Sequence, residues 1–176
     1  MENRDKIEDF VIRQADLRDA RAICALIKSN PEELIVRALA DIVRNIDRFC
    51  VVTCGGKLIG CASYSIWPEA GNFSKATVEL TSVAIRKGWR GRGLGRLLIS
   101  KMVERTEKMR PIQIIVLTYT PAFFVKAGFT EISKKDIMHK IYMGCVNCTK
   151  HSNPFTCPEV AMSYIPKHLR HSSKEA

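Results

Sequence analysis

The chain has 176 residues and a formal net charge of +10, and 46% of its residues are apolar and 26% charged. This length and composition are typical of one water-soluble globular domain, and no apolar run approaches the roughly 20 residues that a membrane span needs. The charged N-terminal residues lack the apolar core of a secretion signal, so we expect a cytoplasmic protein. We expect one domain over residues 9–166, between an extension of residues 1–8 and a basic, disordered tail of residues 167–176.

The first half of the chain alternates between strand and helix patterns. The predicted elements are a strand at 10–14, a helix that Asp16 caps, a second helix at 34–46, and strands at 49–53 and 57–66. The residues between the last two strands, Cys54-Gly55-Gly56, are typical of a hairpin turn. Residues 68–74 have the composition of a loop.

The second half continues the alternation with a strand at 77–85, a helix at 94–109 and a strand at 113–118. Pro121 begins a short helix, which Gly128 ends in the left-handed conformation. Strands at 129–133 and 159–165 follow. Alternating strands and helices predict an α/β fold with a mixed sheet.

Positive charge is concentrated in residues 86–110, which hold nine Lys and Arg against two Glu and so supply +7 of the total. A solvated helix face accounts for part of this excess, but its position favours an anionic ligand. Trp89 lies among these basic residues, which leaves nucleic-acid binding as an alternative, although no recognised nucleic-acid module surrounds it. We expect neither nucleic acid nor a membrane as a partner.

The seven cysteines are an odd number in a chain without a secretion signal, so we expect no disulfide framework. Four of them lie in or beside apolar stretches and are expected to pack as small core residues: Cys24, Cys50, Cys54 and Cys61. The pair Cys145-x-x-Cys148 and the later Cys157, with His139 or His151, have the composition of a zinc site with three cysteines and one histidine. Since only one such cysteine pair occurs, we favour buried or reactive thiols and expect no bound metal.

The most informative motif is Arg90-Gly-Arg-Gly-Leu-Gly95, which follows the predicted strand at 77–85 and opens the predicted helix at 94–109. Its glycines permit positive φ angles and let a ligand approach the backbone. The N–H groups at the start of a helix form an anion site, and Arg90, Arg92 and Arg96 add donors for phosphate oxygens. The spacing is not that of a dinucleotide fingerprint, and no Gly-Lys-Ser/Thr follows, so a P-loop is excluded.

This motif resembles the acyl-coenzyme A pyrophosphate loop of the GNAT superfamily of N-acetyltransferases, whose three fixed positions are filled here by Arg90, Gly93 and Gly95. A preceding strand with Glu79 and the later segment Phe124-Val-Lys-Ala-Gly-Phe129 strengthen the resemblance, which covers residues 9–165. It implies an α/β (α+β) fold, in which helices flank a mixed, mostly antiparallel sheet, and acetyl-CoA as cosubstrate.

The same resemblance implies a set of residues that bind the coenzyme. They are Val83, Ala84, Ile85, Arg90, Gly91, Arg92, Gly93, Leu94, Gly95, Arg96 and Phe124. In this fold the backbone N–H groups around Val83 and Ile85 polarise the thioester carbonyl, while their side chains belong to the core.

Longer segments are similar to a narrower group, the N-acetylglutamate synthases. These segments are Ile35-Val-Arg37, Ile46-Asp-Arg-Phe49, Gly60-Cys-Ala62, Leu117-Thr118 and the stretch from His139 to Met162, which resembles the short, stand-alone form of these enzymes. The resemblance implies acetyl transfer to the α-amine of L-glutamate, the first step of arginine biosynthesis. The chain departs from the pattern after Thr118, where Tyr119-Thr120-Pro121 replaces a carboxylate-binding arginine. Another small amine, a protein N-terminus, or a coenzyme A-binding domain without turnover are therefore alternatives.

Direct attack by an amine in a ternary complex needs a base for the ammonium proton, and Glu79 is the predicted base. Alternation along the strand puts Thr77, Glu79 and Thr81 on one face, and members of the superfamily use a glutamate on this strand, often through water. Many relatives have a tyrosine acid where this chain has Phe124, so Tyr119 is our candidate acid and Tyr142 an alternative.

A glutamate substrate has two carboxylates, which call for arginine or backbone donors. Arg37 lies in the helix-to-helix region that covers the acceptor site in this fold, and His139 and Lys140 are weaker candidates for the same role. The sequence leaves the oligomeric state open, a homodimer included.

Overall fold

A computed structural model describes residues 10–69 and 71–170 of the chain. The described residues form two compact units: unit 1 contains residues 10–63 and 82–101, and unit 2 contains residues 64–69, 71–81 and 102–170. The expected extension of residues 1–8 and residues 171–176 of the expected tail lie outside the described residues. Lys167–Arg170 form a short helix, which differs from the disorder that we expected for the start of that tail.

The described strands are β1 (Phe10–Gln14), β2 (Cys50–Cys54), β3 (Lys57–Glu69), β4 (Asn72–Ile85), β5 (Gln113–Thr118), β6 (Thr130–Glu131) and β7 (Val160–Tyr164). The described α-helices are α1 (Ala20–Lys28), α2 (Leu39–Arg44), α3 (Leu94–Glu107), α4 (Pro121–Val125), α5 (Met138–Lys140) and α6 (Lys167–Arg170). A π-helical turn, Ile141–Cys145, follows α5. The bounds of β1 and β5 agree with the sequence prediction residue for residue.

The strands form a sheet in the order β1-β2-β3-β4-β5-β7-β6. β4 and β5 run parallel, with Glu79 opposite Ile115, because helix α3 connects them as a crossover. The pairs β1–β2, β2–β3, β5–β7 and β6–β7 are antiparallel. The predicted fold, a mixed and mostly antiparallel sheet with flanking helices, is therefore confirmed.

The core of unit 1 forms around α1, whose apolar residues recur at helical spacing. Ile23, Leu26 and Ile27 are buried in one cluster with Phe49 and Val51 of the β2 region. The four cysteines that we expected in the core are indeed buried: Cys24, Cys50, Cys54 and Cys61. Burial raises the pKa of Cys61 to about 12, although the charge of Arg37 acts in the opposite direction, so this thiol is inert at neutral pH.

The chain between β1 and α1 is fixed by carboxylates. Asp16 caps this segment as predicted: its side chain accepts a hydrogen bond from the Arg18 N–H at 2.9 Å, and the Asp19 carboxylate accepts one from the Asp16 N–H. Arg13 donates to both oxygens of Asp19 at 2.7 and 2.8 Å. The cap begins a 3-10 turn, Leu17–Asp19, and α1 continues from it.

Three predicted elements differ from the structure. The predicted helix at 34–46 is reduced to Leu39–Arg44, because Ala38 is extended and precedes the helix as its cap. The predicted loop at 68–74 is wrong, since β3 continues to Glu69 and β4 begins at Asn72. The strand predicted at 129–133 is shortened to Thr130–Glu131.

Candidate active site

The glycine motif lies in unit 1, in the turn between β4 and α3. Gly91 and Gly93 have φ angles of 82° and 79°, which confirms the prediction that these positions need glycine. A Cβ atom built on either residue meets no other atom within 4 Å, so the missing side chains leave the backbone open to a ligand. In the first turn of α3 the Leu97 N–H donates to the carbonyl oxygen of Gly93 at 3.2 Å, and the N–H groups ahead of it precede the hydrogen bonds that a helix makes within itself. A diphosphate fits this arrangement of backbone donors.

Arg90 makes contacts within unit 1 that the sequence did not predict, and its role toward the coenzyme stays a prediction. Its Nη2 donates to Asn30 Oδ1 at 2.8 Å and to Glu33 Oε2 at 3.1 Å, and its Nε donates to the carbonyl oxygen of Ile85 at 3.0 Å. The guanidinium is thus occupied inside unit 1, and it fixes the glycine turn to the chain that follows α1.

The other two arginines of the turn remain near its surface. Arg92 is exposed and its guanidinium lies over the Trp89 ring, 4.7 Å from the centroid. Arg96 is exposed in the first turn of α3. These two side chains are therefore placed to meet an anion at the turn, whereas the Trp89 indole is engaged by Arg92 and by Phe10, edge-on at 5.5 Å.

The end of β4 precedes the turn with a local irregularity. Ser82 has a φ angle of 52°, which is uncommon for a residue with a side chain and costs of the order of 1 kcal/mol. Ala84 is buried, and Val83 and Ile85 are half-buried, as expected for side chains that belong to the core. The role of their N–H groups toward a thioester stays a prediction.

Glu79 lies in unit 2, in the middle of β4, and only 6% of it is exposed. Its Oε2 accepts a hydrogen bond from Trp67 Nε1 at 2.8 Å, and its Oε1 lies 3.1 Å from Lys140 Nζ. Burial raises the pKa of Glu79, while the Lys140 ammonium and the Trp67 N–H act in the opposite direction. The carboxylate does not project into open solvent.

Lys140 connects Glu79 to a cysteine. Its Nζ lies 3.0 Å from Cys145 Sγ as well as 3.1 Å from Glu79, and 8% of its side chain is exposed. The sequence did not indicate a role for Trp67, and it suggested Lys140 only as a weaker candidate for a substrate contact. An alternating pattern could have suggested that β3 extends through Trp67, but no local signal brings Lys140 to Glu79, 61 residues earlier in the chain.

Tyr119, the candidate acid, forms a second polar pair in unit 2. Its hydroxyl lies 2.7 Å from His151 Nε2. Burial is the main cause that raises the Tyr119 pKa, and Glu159 adds to it. Since Glu159 also raises the pKa of Glu79, it is a common electrostatic neighbour of both candidates. His151, which we considered only as a metal ligand, is thus the partner of Tyr119.

Phe124 is a core residue in the structure, and its predicted contact with the coenzyme stays a prediction. Only 3% of it is exposed, and its ring packs edge-on against Phe123 at 5.0 Å and Phe129 at 5.5 Å. Phe129 in turn contacts Tyr164 of β7. This aromatic row belongs to the interior of unit 2.

The two candidate substrate residues lie in different environments. Arg37 of unit 1 donates from Nε to Asp41 Oδ2 at 2.6 Å, and its guanidinium lies 5.2 Å from the centroid of Phe49. His139 of unit 2 is half-buried, burial lowers its pKa, and its Nε2 has no hydrogen-bond partner among the described residues. A buried ring nitrogen without a hydrogen-bond partner is uncommon and costs free energy.

The remaining cysteines do not assemble into a metal site in the described part of the chain, where no three His, Cys, Asp or Glu side chains converge. Cys145 contacts Lys140, and the Cys157 thiol points to Glu159 Oε2 at 3.6 Å. Cys148 accepts from the Lys150 N–H instead. Among the helices of residues 10–69 and 71–170, none is long and apolar enough to cross a membrane.

Comparison with known proteins establishes the class. The profile of the Acetyltransferase (GNAT) family matches residues 14–129 of the chain. An uncharacterized N-acetyltransferase of Chlorobaculum tepidum is 30% identical over 156 residues, which are 88% of this chain and 95% of that protein. The chain therefore belongs to the GNAT family of acetyltransferases, as its glycine motif indicated.

Two further relatives are more distant. An amino-acid acetyltransferase of Mycobacterium tuberculosis is 24% identical over 137 residues, which are 75% of each protein. The N-acetylglutamate synthase of Neisseria gonorrhoeae, solved with coenzyme A and N-acetyl-glutamate, has a TM-score of 0.72 and 22% identity over 89% of this chain and 35% of that one. This second likeness confirms the GNAT fold.

Proposed function

We propose that the protein transfers an acetyl group from acetyl-CoA to the α-amine of an amino acid, and that this amino acid is L-glutamate. The reaction would be the first step of arginine biosynthesis. The observation that carries the proposal is the buried Glu79 carboxylate on β4, held by Trp67 and Lys140, in a chain of the GNAT family. The amino-acid acetyltransferase of Mycobacterium tuberculosis and the gonococcal synthase support the choice of acceptor.

Glu79 takes the proton of the substrate ammonium in this proposal, directly or through a water molecule. Burial raises its pKa, which brings a carboxylate closer to the basicity that proton transfer at neutral pH requires. Tyr119 would supply a proton to the departing thiolate, and His151 at 2.7 Å would return one to Tyr119.

The backbone of residues 91–96 would hold the coenzyme diphosphate. The open space beside Gly91 and Gly93 and the exposed Arg92 and Arg96 support this role. We keep Arg37 and His139 as the candidate contacts of the substrate carboxylates, because both are partly buried and carry nitrogen donors.

The acceptor is tested with a thiol-release assay on the 20 common amino acids, with D-glutamate and protein N-terminal peptides included. We expect the highest kcat/KM with L-glutamate. Release that is equal for all acceptors, or confined to peptides, would contradict the proposal and favour the alternative that the missing arginine after Thr118 suggests.

Glu79→Gln keeps the shape of the side chain and removes its basicity. We expect the rate of acetyl transfer to fall by about 10²–10⁴-fold, the usual contribution of a general base. Coenzyme affinity, measured by calorimetry with coenzyme A, should stay within about twofold of the original value. A full rate in this variant would remove Glu79 from the reaction.

A further inference from the structure

Lys140 is a buried ammonium with two partners in unit 2. Its Nζ lies 3.1 Å from Glu79 Oε1 and 3.0 Å from Cys145 Sγ, and its side chain and that of Glu79 are both 8% exposed. The Trp67 ring centroid lies 5.8 Å from the same nitrogen. β3, β4, α5 and the π-helical turn thus each supply one member of this group.

Burying a lone carboxylate is costly, and without a partner such a group becomes neutral by taking up a proton. The groups that act on Glu79 are the Lys140 ammonium and the Trp67 N–H, which favour the ionised form, and Glu159, which opposes it. Lys140 is the only cation among them. Burial acts to lower its pKa, but Glu79 and Cys145 outweigh this effect and raise the pKa of Lys140, so it stays charged. The ionisation of the Glu79 carboxyl at neutral pH therefore depends on this one ammonium.

The hydrogen bonds also fix the direction of the carboxylate. Trp67 occupies one oxygen and Lys140 the other, and each oxygen keeps a second lone pair. A base that is held at both oxygens cannot rotate away from its substrate, and this fixed orientation lowers the entropic cost of reaction.

We propose that Lys140 is the positioning residue of the reaction: it keeps Glu79 ionised at neutral pH and holds its carboxylate in one orientation. This inference rests on the proposed function, in which Glu79 is the base. It gives Lys140 a role different from the substrate contact that the sequence suggested.

The test compares Lys140→Met with the conservative Lys140→Arg and with Lys135→Met, which removes an exposed charge from the turn before α5. The readout is the pH dependence of kcat/KM for L-glutamate. In Lys140→Met we expect the acidic limb to move to higher pH by about one unit or more, because an unpaired carboxylate ionises only at higher pH. Lys140→Arg and Lys135→Met should keep the limb of the original protein. Lys140→Gln repeats the test should the methionine variant fail to fold.

A second measurement is independent of turnover. The infrared band of the Glu79 carboxyl, obtained as the difference between each protein and its Glu79→Gln version, reports the protonated form directly. We expect the protonated band to persist to higher pH in Lys140→Met and Lys140→Gln. The inference would be overturned if, in Lys140→Met, neither the infrared band of Glu79 nor the acidic limb of kcat/KM moved and the rate fell equally at every pH.

The two proposals fail in different ways. A full rate in Glu79→Gln with a shifted infrared band in Lys140→Met would refute Glu79 as the base and leave its electrostatic dependence on Lys140 intact. A slow Glu79→Gln enzyme with an unshifted band in Lys140→Met would support Glu79 as the base and refute its dependence on Lys140.

Discussion

At the scale of the residue, the environment of Glu79 depends on close packing as much as on charge. The Trp67 indole, which donates to Glu79, lies against the backbone of Gly144 in the π-helical turn. A Cβ atom at position 144 would stand 2.7 Å from the indole Cη2 and 3.0 Å from Cζ2. Only glycine lets this turn approach the ring so closely.

Gly144→Ala tests this contact. We expect the indole to move, the hydrogen bond to Glu79 to weaken, and the free energy of unfolding to fall by about 1–3 kcal/mol, which is typical of overpacking. Urea unfolding and kcat/KM measure the two effects. Gly88→Ala is the matched control, since a Cβ there meets no atom within 4 Å; equal effects of the two substitutions would contradict the interpretation.

Single residues also show what the sequence could and could not predict. Strand alternation placed Glu79 on one face of its strand with Thr77 and Thr81, which made it the predicted base. The identity of the partner of Glu79 was not predictable, since Lys140 lies in the three-residue helix Met138–Lys140, which has no periodicity to detect. The same limit applies to Arg90, where the motif predicted a phosphate contact and the distant Asn30 and Glu33 occupy the side chain.

At the scale of the element, the turn from β4 to α3 concentrates the sequence signal. Its positive φ angles at Gly91 and Gly93 were predictable because few other residues adopt them. The hairpin between β3 and β4 was not, because Pro68 usually marks a loop, and here it lies within β3, whose chain reverses near Gly71 at a φ angle of 80°. Glycine and proline are therefore strong signals for a bend but not for its position.

Gly93→Asp and Gly93→Asn separate charge from backbone strain in this turn. Both substitutions place a side chain in the same open space, at a backbone φ angle of 79°. Asp and Asn adopt such a positive φ angle more often than most other residues with a side chain. We expect Asp to raise the KM for acetyl-CoA at least tenfold through repulsion of the diphosphate, and Asn to raise it much less. Thermal unfolding serves as the control for the fold, and an unchanged KM in Gly93→Asp would remove the turn from the coenzyme site.

At the scale of the whole molecule, the charge of +10 is uneven, with +7 in residues 86–110. This segment contains the glycine turn and α3, so its field would attract the several negative charges of acetyl-CoA. The composition alone indicated an anionic partner, and the turn is where we propose that this anion binds. Neither feature could distinguish glutamate from another acceptor, because the proposed acceptor contacts, Arg37 and His139, are far apart in sequence.

We expect the KM for acetyl-CoA to depend on salt. Raising the ionic strength from about 0.01 to about 0.15 M shortens the Debye length from about 30 to about 8 Å, and should raise this KM several-fold while kcat changes little. Arg96→Gln should weaken the dependence, because it removes an exposed charge at the start of α3. A KM that is indifferent to salt would mean that the field of this segment does not act on the coenzyme.

The three hydrogen bonds of the Arg90 guanidinium have a consequence for how fast the coenzyme can be captured. A flexible glycine-rich turn would have to be immobilised at each encounter, and that ordering would slow association and weaken the complex. Here the hydrogen bonds to Asn30, Glu33 and Ile85 hold the turn before any ligand is bound. In the proposed complex, the diphosphate would therefore bind to a turn that is already formed.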